Sequence, residues 1–577
     1  MKFIKYQKRV ICAALLLAVF SVKTWGSGIQ VMNTTVTTND DKKSAQVKFS
    51  LTWDHSWRLA DGPANWDAAW VFIKFRTLPG DNWRHAYIKA TGSNVPNNAS
   101  FKVGNSMAVV GGVNTNVGVG AFVYRKEPGN GTVQFSDIEL FWDFTQNGLT
   151  GGEQVEVCVL ATEMVYIPQG AFYLGDYTST GRFTRNMSNN ANNAGGIITA
   201  EAAVHVNSAN PTWLNNFSNT WINSLSYPAN PNGFINNSIS SANAPTPDDV
   251  TLNSTYIRSG TYYNNSTATW YASYMSSINA NFPRGFNAFY CMKYEITQGE
   301  YIQFLNKNVV AVKNGKFYFH GLATPAGRNS ITIREGSGTA NDPAEYILSN
   351  PSAAFLPCNY MSTKDIMAWL VWAGLRPMSE LEFEKVCRGP QAIPGTSSLR
   401  PQYAWGSTDI YPAAGFSNKG GANESPSNTT GNCAVATTAG TTIGGGTNTS
   451  LDGPIRSAGF STPVSSREKA GATYYGVMEM SGNLWERCIT AGLDLGRAFQ
   501  GWIVNGHGNG ETGPAANPDL PIGGGWPAVN GQGLGFRGGS YLDHADRARI
   551  SDRMYINHNA TTERHQSWGG RGVRSDL

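Results

Sequence analysis

The chain first shows a regular pattern after residue 28, where hydrophobic and polar positions alternate. In the clearest stretch every second residue is large and hydrophobic, namely Val47, Phe49, Leu51 and Trp53. This period of two predicts strands that bury one face. Residues 70–75 and 119–124 repeat the pattern. We therefore predict an antiparallel β-sandwich over residues 28–160.

Two features inside this region predict finer detail. The sequence Pro128-Gly129-Asn130-Gly131 is typical of a turn, and it predicts a hairpin between residues 119–126 and 132–144. Tryptophans cluster at residues 53–57 and 65–70. Aromatic side chains at this density suit either a carbohydrate-binding platform or packing in the core, and packing is the commoner role.

Two later segments lack any sustained period. Residues from about 177 to 285 are dominated by Asn, Ser, Thr, Ala and Tyr, and residues 420–450 are rich in Gly, Thr and Asn. A structureless loop of the first length is unusual inside a compact domain. We interpret the first segment as an insertion with some structure of its own or an ordered surface excursion, and the second as a more flexible insertion.

Helices are few and have clear sequence signals. Thr297-Gln-Gly-Glu300 and Ser379-Glu-Leu-Glu382 fit the capping box that begins a helix. A third helix is predicted over residues 363–372, with Gly374 as its C-cap. Short helices among short strands and long loops indicate an irregular α+β domain over residues 161–577.

The charge of the chain is concentrated at its start. There are 44 Lys and Arg against 40 Asp and Glu, but five of the cations lie in residues 1–27, around the hydrophobic run 10–22. This arrangement predicts a secretory signal peptide over residues 1–27. The remaining 39 cations against 40 anions exclude a basic nucleic-acid-binding surface as a global property.

The expected location is therefore outside the cytoplasm. We predict an exported protein that is periplasmic, extracellular or associated with the cell surface. No later hydrophobic run reaches the roughly 18 residues that a transmembrane helix needs, so no such segment is expected. The six cysteines after residue 27 are widely spaced and form no CxxC pair. Their spacing indicates neither a disulfide scaffold nor a zinc site.

Six ordered segments resemble the motifs of the sulfatase-modifying-factor family, whose founding member is the formylglycine-generating enzyme. They include RPMSELEFE at 376–384, YGVMEMSGNLWER at 475–487 and FRGGSY at 536–541. The others are residues 164–175, 290–306 and 570–574. The resemblance spans residues 162–577 and implies a variant of the C-type lectin fold.

The residues that carry the founding chemistry are changed. The resemblance implies two copper-binding cysteines shortly after RGGS, and these positions here are Asp543 and Ala548. Monovalent copper requires soft ligands such as thiolates, so neither copper nor formylglycine generation is expected. Cys387 matches a cysteine that forms a disulfide in the founding enzyme. Its partner position is Arg553, so we predict a buried thiol at Cys387.

The resemblance also implies which residues line the former active-site cleft: Trp485, Arg537, Ser540, Tyr541, Asp543 and His544. For Trp485, packing in the core is an equal alternative, and Arg537 is expected to pin the loop. His544, His558 and His565 match no standard metal-ligand spacing, so we interpret them as loop residues.

The same resemblance implies a structural calcium site. Its ligands would be the side chains of Glu479 and Glu486 with the backbone carbonyls of Gly482 and Leu484, which form half of the oxygen shell that calcium takes. Asn418 is a candidate for a second site. The alternative is that Glu486 pairs with an arginine and that Gly482 and its neighbour only make a tight turn.

Three functions follow from these observations. The first is a non-catalytic binding or structural protein with a protein or glycan ligand, in which calcium stabilises the scaffold; a component of a bacterial gliding or secretion machinery is one form of it. The second is an enzyme with altered chemistry, such as an oxidoreductase that uses Ser540, Asp543 and His544. The third is retained formylglycine generation. Fold class alone does not select among them.

Overall fold

The computed structural model describes most of the chain outside the two ends and the long insertion. The described residues are 28–176, 282–308, 326–390, 402–490 and 533–576, apart from 80–82, 335, 337–344, 422, 439, 441–442, 448–449, 463, 557 and 559–562. Residues 496 and 499 and the backbone of a few short strands between 196 and 273 are also described. The predicted signal peptide lies outside the described residues.

Strands dominate the described secondary structure. Those up to residue 174 are β1 (Gln30–Thr38), β2 (Ala45–Arg58), β3 (Asp67–Thr77), β4 (Arg84–His85), β5 (Ile88–Asn94), β6 (Ala99–Val110), β7 (Val113–Arg125), β8 (Gly129–Trp142), β9 (Val155–Ile167) and β10 (Phe172–Leu174). The insertion contributes β11 (Gly196–Ile198), β12 (His205–Val206), β13 (Leu214–Asn215), β14 (Gly260–Asn264) and β15 (Thr269–Ser273).

The remaining elements belong to the C-terminal part. The strands are β16 (Phe289–Met292), β17 (Ile331–Arg334), β18 (Glu345–Leu348), β19 (Arg376–Ser379), β20 (Phe416–Ser417), β21 (Ser425–Pro426), β22 (Glu486–Ile489), β23 (Leu534–Arg537) and β24 (Gly572–Ser575). The helices are α1 (Gln298–Asn308), α2 (Thr363–Ala373) and α3 (Glu380–Arg388), with 3-10 turns at Phe144–Asn147, Pro351–Phe355 and Ala545–Ala548. A sheet-rich protein with few helices fits the predicted α+β class.

One sheet of 14 strands runs through both parts of the molecule. Its order is β1-β2-β8-β5-β7-β3-β9-β16-β24-β19-β22-β23, with β4 paired to β3 and β6 to β7. The link is β9, which pairs with β3 along the whole of β3 and then with β16 beyond residue 163. The predicted boundary at residues 160/161 therefore falls inside a single strand.

The N-terminal strands form two layers around a hydrophobic core. Alternate residues of β1, β2 and β8 share this core with alternate residues of β3, β7 and β9. The four hydrophobic residues whose alternation predicted the strand are each at most 1% exposed, namely Val47, Phe49, Leu51 and Trp53. The predicted hairpin is wrong. Gly129–Gly131 begin β8 and pair with the end of β2, so β7 and β8 pair with other strands instead of with each other.

Strand β3 is buried on both faces. One face points into the N-terminal core, while Trp70 and Phe72 on the other face share a core with α1 and α2. The Trp70 indole donates a hydrogen bond to the carbonyl of Ala373 at 2.8 Å. Phe72 meets Trp372 edge to face, with ring centroids 5.2 Å apart. The two parts of the chain therefore pack through a hydrophobic interface.

The helix signals are confirmed by the structure. Ser379 accepts from the Glu382 amide while the Glu382 carboxylate accepts from the Ser379 amide. The Thr297 and Glu300 side chains make the same reciprocal bonds at α1. Helix α2 ends at Gly374, which adopts a left-handed conformation with φ 72°. None of the described helices is both long and apolar enough to cross a membrane.

The two predicted insertions differ in how they are built. Most of the first lies outside the described residues. In the second, Cys433 and Val435 belong to the same core as α3 and β16. Residues 432–436 are thus packed into the domain, because small and apolar residues in this part of the segment fill space beside the 475–487 motif. Cys387 is a free buried thiol, as predicted.

Candidate functional site

The motifs at 475–487 and 536–541 meet although they are distant in the sequence. They flank β22 and β23, which pair antiparallel with Glu486 opposite Arg537. Beyond this pairing, the Gly482 amide donates to the Gly538 carbonyl at 2.7 Å and the Tyr541 amide donates to the Asn483 carbonyl at 2.9 Å. The predicted cleft residues and calcium ligands thus lie on two adjoining loops.

Gly482 allows these loops to approach closely. Its φ is 80°, a conformation that glycine adopts at low cost. A Cβ at this position would lie 2.4 Å from the carbonyl oxygen of Ala434. Any larger residue would therefore push the loop away from residues 433–434.

Asp543 is the centre of the predicted cleft, and its carboxylate is fully engaged. One oxygen accepts from the Gly444 amide at 2.8 Å. The other accepts from the Trp485 indole at 2.6 Å and from the Ser540 hydroxyl. Asp543 is only 4% exposed. Burial raises the pKa of Asp543 to about 6, although the hydrogen bonds, led by that from Ser540, act in the opposite direction.

The structure brings Trp485, Ser540 and Asp543 together but directs His544 elsewhere. The His544 side chain is 46% exposed, and its Nδ1 lies 3.1 Å from the Asp546 carboxylate. Trp485 and Ser540 are buried, so their polar groups donate hydrogen bonds to Asp543 instead of to solvent. The altered-chemistry hypothesis requires Ser540, Asp543 and His544 to act together. Ser540 contacts Asp543, but the His544 side chain pairs with Asp546 instead.

The other two predicted cleft residues are also buried. Arg537 donates to Glu384 at 2.6 Å and to the carbonyl of Asp552 at 2.8 Å, which pins the loop as expected for a structural role. The Tyr541 hydroxyl is buried and has no hydrogen-bond partner among the described residues. Burial raises the pKa of Tyr541 well above its ordinary value.

The residues present do not fit monovalent copper. Asp543 offers hard oxygen atoms that already accept three hydrogen bonds, and Ala548 is a fully buried methyl group. The six described cysteines are all buried. Burial raises the pKa of most of these thiols, including Cys387 and Cys488, so the thiolate form that binds metal is disfavoured.

The remaining histidines make local contacts. His565 Nδ1 lies 2.7 Å from the Ser567 hydroxyl, and His558 packs against Phe536 and Trp568. Burial lowers the pKa of both His558 and His565. Within the part of the chain that the structure describes, no group of three His, Cys, Asp or Glu side chains is placed to hold a metal ion.

The predicted calcium ligands have other partners. Both oxygens of Glu486 accept from Arg571 at 2.8 Å. One oxygen of Glu479 accepts from the Ala458 amide at 2.9 Å, and the other is buried without a partner among the described residues. The Leu484 amide and the Asn483 side chain donate to Glu295, at 2.9 and 2.7 Å. Calcium remains a prediction, and both oxygens of Glu486 already accept hydrogen bonds from Arg571.

Asn418 lies apart from this loop. It is exposed, has φ 52°, and its side-chain amide donates to the Asn423 carbonyl at 3.4 Å. The buried carboxylate at this turn is Glu424, which accepts from Arg328 at 2.8 Å and from the Gly420 amide at 2.6 Å.

Glu295 and Arg571 are the residues that the sequence analysis did not single out. Glu295 lies inside the motif at 290–306, and Arg571 lies inside the closing motif at 570–574. Both positions were therefore visible as parts of motifs. Their roles were not visible, because Arg571 is 85 residues from Glu486 and Glu295 is 189 residues from Leu484.

The comparisons with known proteins agree with the site geometry. The family model described as the sulfatase-modifying factor enzyme 1-like domain matches residues 241–575, which is more than half of the chain. The matched range contains both loops of the site but begins after the N-terminal strands. No curated protein matches the chain.

Proposed function

The chain belongs to the sulfatase-modifying factor enzyme 1-like family, and from this premise we propose that it is an exported, non-catalytic member that binds a protein ligand. In this proposal the matched region is a variant of the C-type lectin fold used as a scaffold. The predicted signal peptide at residues 1–27 supports export.

The state of Asp543 is the observation that carries the non-catalytic role. Its carboxylate replaces one of the two copper-binding thiols, and it accepts three hydrogen bonds in a buried position. A buried carboxylate with this number of donors is held in place. It therefore closes the two loops onto each other, and a group used in this way is not available to exchange with a substrate thiol.

An exposed hydrophobic hairpin supports a binding role. Strands β6 and β7 are joined by Gly111 and Gly112, both with positive φ, as in a tight two-residue turn. Beside this turn Val109 is 61% exposed and Val113 is 65% exposed. Exposed apolar groups that cluster on one projection are typical of interaction sites.

A protein ligand fits these residues better than a glycan. Trp53 and Trp70 are at most 1% exposed, so neither can stack on a sugar ring. Trp57 lies under the Lys293 ammonium at 4.6 Å, and Trp66 is stacked on Tyr166 with centroids 4.0 Å apart. The tryptophans thus serve packing, while aliphatic side chains of the kind found at the hairpin suit contact with another protein.

A peptide assay tests the non-catalytic role. The purified protein is incubated with copper and a Cys-x-Pro-x-Arg peptide, and the peptide is analysed by mass spectrometry. We expect an unchanged mass, because Asp543 and Ala548 supply no thiolate. An authentic formylglycine-generating enzyme in parallel shows that the assay works. Formation of an aldehyde by this protein would overturn the proposal.

A further inference from the structure

The guanidinium of Arg571 lies at the centre of the predicted calcium loop. Arg571 is 1% exposed and directly precedes β24. Its Nε donates to both oxygens of Glu486 at 2.8 Å, and one Nη lies 2.7 Å from the same carboxylate. The Nη atoms also donate to the carbonyls of Met478 at 2.8 Å and of Met292 and Lys293 at 3.1 Å.

This set of contacts resembles the shell of a bound cation. One carboxylate and three backbone carbonyls surround a single positive charge that has been taken out of water. Every nitrogen of the guanidinium is used, which is how a buried arginine offsets its loss of hydration. The contacts also join four segments, because they connect the end of β16, the 475–487 loop, β22 and β24.

Two further buried carboxylates lie near the same charge. Glu479 is 4% exposed, and one of its oxygens accepts from the Ala458 amide at 2.9 Å. Glu295 is 1% exposed and accepts from the Leu484 amide at 2.9 Å and from the Asn483 side chain at 2.7 Å. The nearby Lys293 ammonium pairs with Glu163 at 2.5 Å. Arg571 is thus the cation that contacts Glu486 directly, and its charge also acts on Glu295 and Glu479.

We propose that Arg571 is a built-in replacement for calcium, which fixes the 475–487 loop by its own side chain so that the fold needs no metal there. A divalent ion at Glu486 would have to displace the guanidinium or lie beside a buried positive charge, and both are unfavourable. The arrangement is independent of whether the protein binds a ligand or performs chemistry.

The turn that contains Asn418 supports this interpretation. There Arg328 donates to Glu424 and to the carbonyl of Pro454, both at 2.8 Å, and its side chain is 6% exposed. A buried guanidinium and a buried carboxylate therefore hold the turn that contains Asn418. A buried arginine–carboxylate pair is therefore present at the first predicted calcium position and beside the second.

The test measures thermal unfolding of the full chain in a chelator and in millimolar calcium, together with elemental analysis after gel filtration. For the wild-type protein we expect the same midpoint in both conditions and no retained calcium. A higher midpoint in calcium, with calcium retained, would overturn the proposal.

The variant Arg571→Leu tests the position directly. Loss of the guanidinium leaves the buried Glu486 carboxylate uncompensated, so we expect a midpoint lower by roughly 3–4 °C in chelator and a partial recovery in calcium. If the variant folds but gains no response to calcium, the guanidinium does not occupy a cation position and the proposal fails. Arg571→Gln, which keeps hydrogen-bond donors without the charge, is the second variant should the first not fold.

Arg574→Leu is the matched control. Arg574 is equally buried and lies three residues further along, but it donates to the carbonyls of Gly374 and Asn105 and to the Ser106 hydroxyl. Its removal should lower the midpoint without creating a response to calcium. A calcium response in this control as large as that of Arg571→Leu would also contradict the proposal.

Discussion

At the scale of single residues, a few buried carboxylates determine how the site behaves. Asp543, Glu479 and Glu486 are each less than 5% exposed, and each is held by a partner that lies far away in the sequence. Buried charges are tolerated only when they are paired or hydrogen-bonded. The carboxylates of this region are therefore held by hydrogen bonds and ion pairs within the protein, which fits a structural loop better than a catalytic site.

Asp543 makes the stability of the protein dependent on pH. Its pKa is raised from about 3.9 in the unfolded chain to about 6 in the folded protein, so the folded protein holds the proton more tightly. The resulting stabilisation is complete below the unfolded pKa and is lost as the pH rises through about 6. Its size is about 3 kcal/mol. We therefore expect the free energy of unfolding to fall between pH 4 and pH 7.

Asp543→Asn isolates this contribution because an amide does not titrate. Urea unfolding at a series of pH values should give a flatter curve for the variant, and the stability difference from wild type should shrink by about 3 kcal/mol as the pH rises. Asp546→Asn, at the neighbouring side chain that is 46% exposed, is the control for replacing a carboxylate in the same loop. Parallel curves for wild type and Asp543→Asn would contradict this account.

The sequence identified the residues of the candidate site more completely than the side chains that pair with them in the structure. Motif resemblance identified Asp543, Trp485 and Ser540 as neighbours, and the structure brings them into contact. The pairing of Glu486 with an arginine was an open alternative, but which arginine was not predictable. Such a pair depends on the antiparallel placement of distant segments, and no local pattern encodes it.

At the scale of elements, local signals and long-range pairing differ in how far they can be predicted. The capping boxes at Ser379 and Thr297 were predictable because they use residues within one turn of helix. The turn at Gly129–Gly131 was misinterpreted because its glycines also suit an extended strand end beside β2. The tight turn that is present, at Gly111 and Gly112, joins β6 to β7 instead.

The β6–β7 hairpin is the element in which ligand binding can be tested. A photo-crosslinking residue placed at Val113, in the organism that produces the protein, should give a discrete crosslinked protein because this side chain projects from an apolar tip. The same residue at Asp137, whose side chain is 71% exposed on β8, is the control. Adding Val109→Asp should remove the crosslink at Val113.

Comparing the crosslinks at Val113 and Asp137 distinguishes a specific binding surface from crosslinking at any exposed side chain. Equal crosslinking at Val113 and Asp137, or a product that persists in the presence of Val109→Asp, would show that the hairpin is not the binding surface. Among the described strands β6 pairs with β7 alone, so the charge at the exposed Val109 lies beside no other strand of the sheet.

At the scale of the whole molecule, the two parts form one folding unit. Trp70 is fully buried between them and contacts α2 through its hydrogen bond to Ala373. A buried ion pair between Lys293 and Glu163 lies near the same junction, with Asp67 at 4.0 Å from the ammonium. Because the two parts share strand β9 and a hydrophobic core, we expect them not to unfold separately.

Calorimetry with the variant Trp70→Ala tests this coupling. The wild-type protein should unfold in a single transition, and the variant should lower that whole transition, at a cost of about 3–5 kcal/mol from the cavity and the lost contacts. Leu78→Ala, at a side chain that is 47% exposed, is the control and should have little effect. Two separate transitions in the wild type would show that the parts are independent.

The shared strand β9 has a consequence for how this architecture can be recombined. Residues 155–165 of β9 pair with β3, and residues 164–167 pair with β16. A cassette cut between residues 160 and 161 would divide that strand and leave unpaired backbone groups along β3 and β16, which is an edge prone to aggregation. An exchange of the N-terminal sheet between related genes would therefore have to carry the whole of β9 with it.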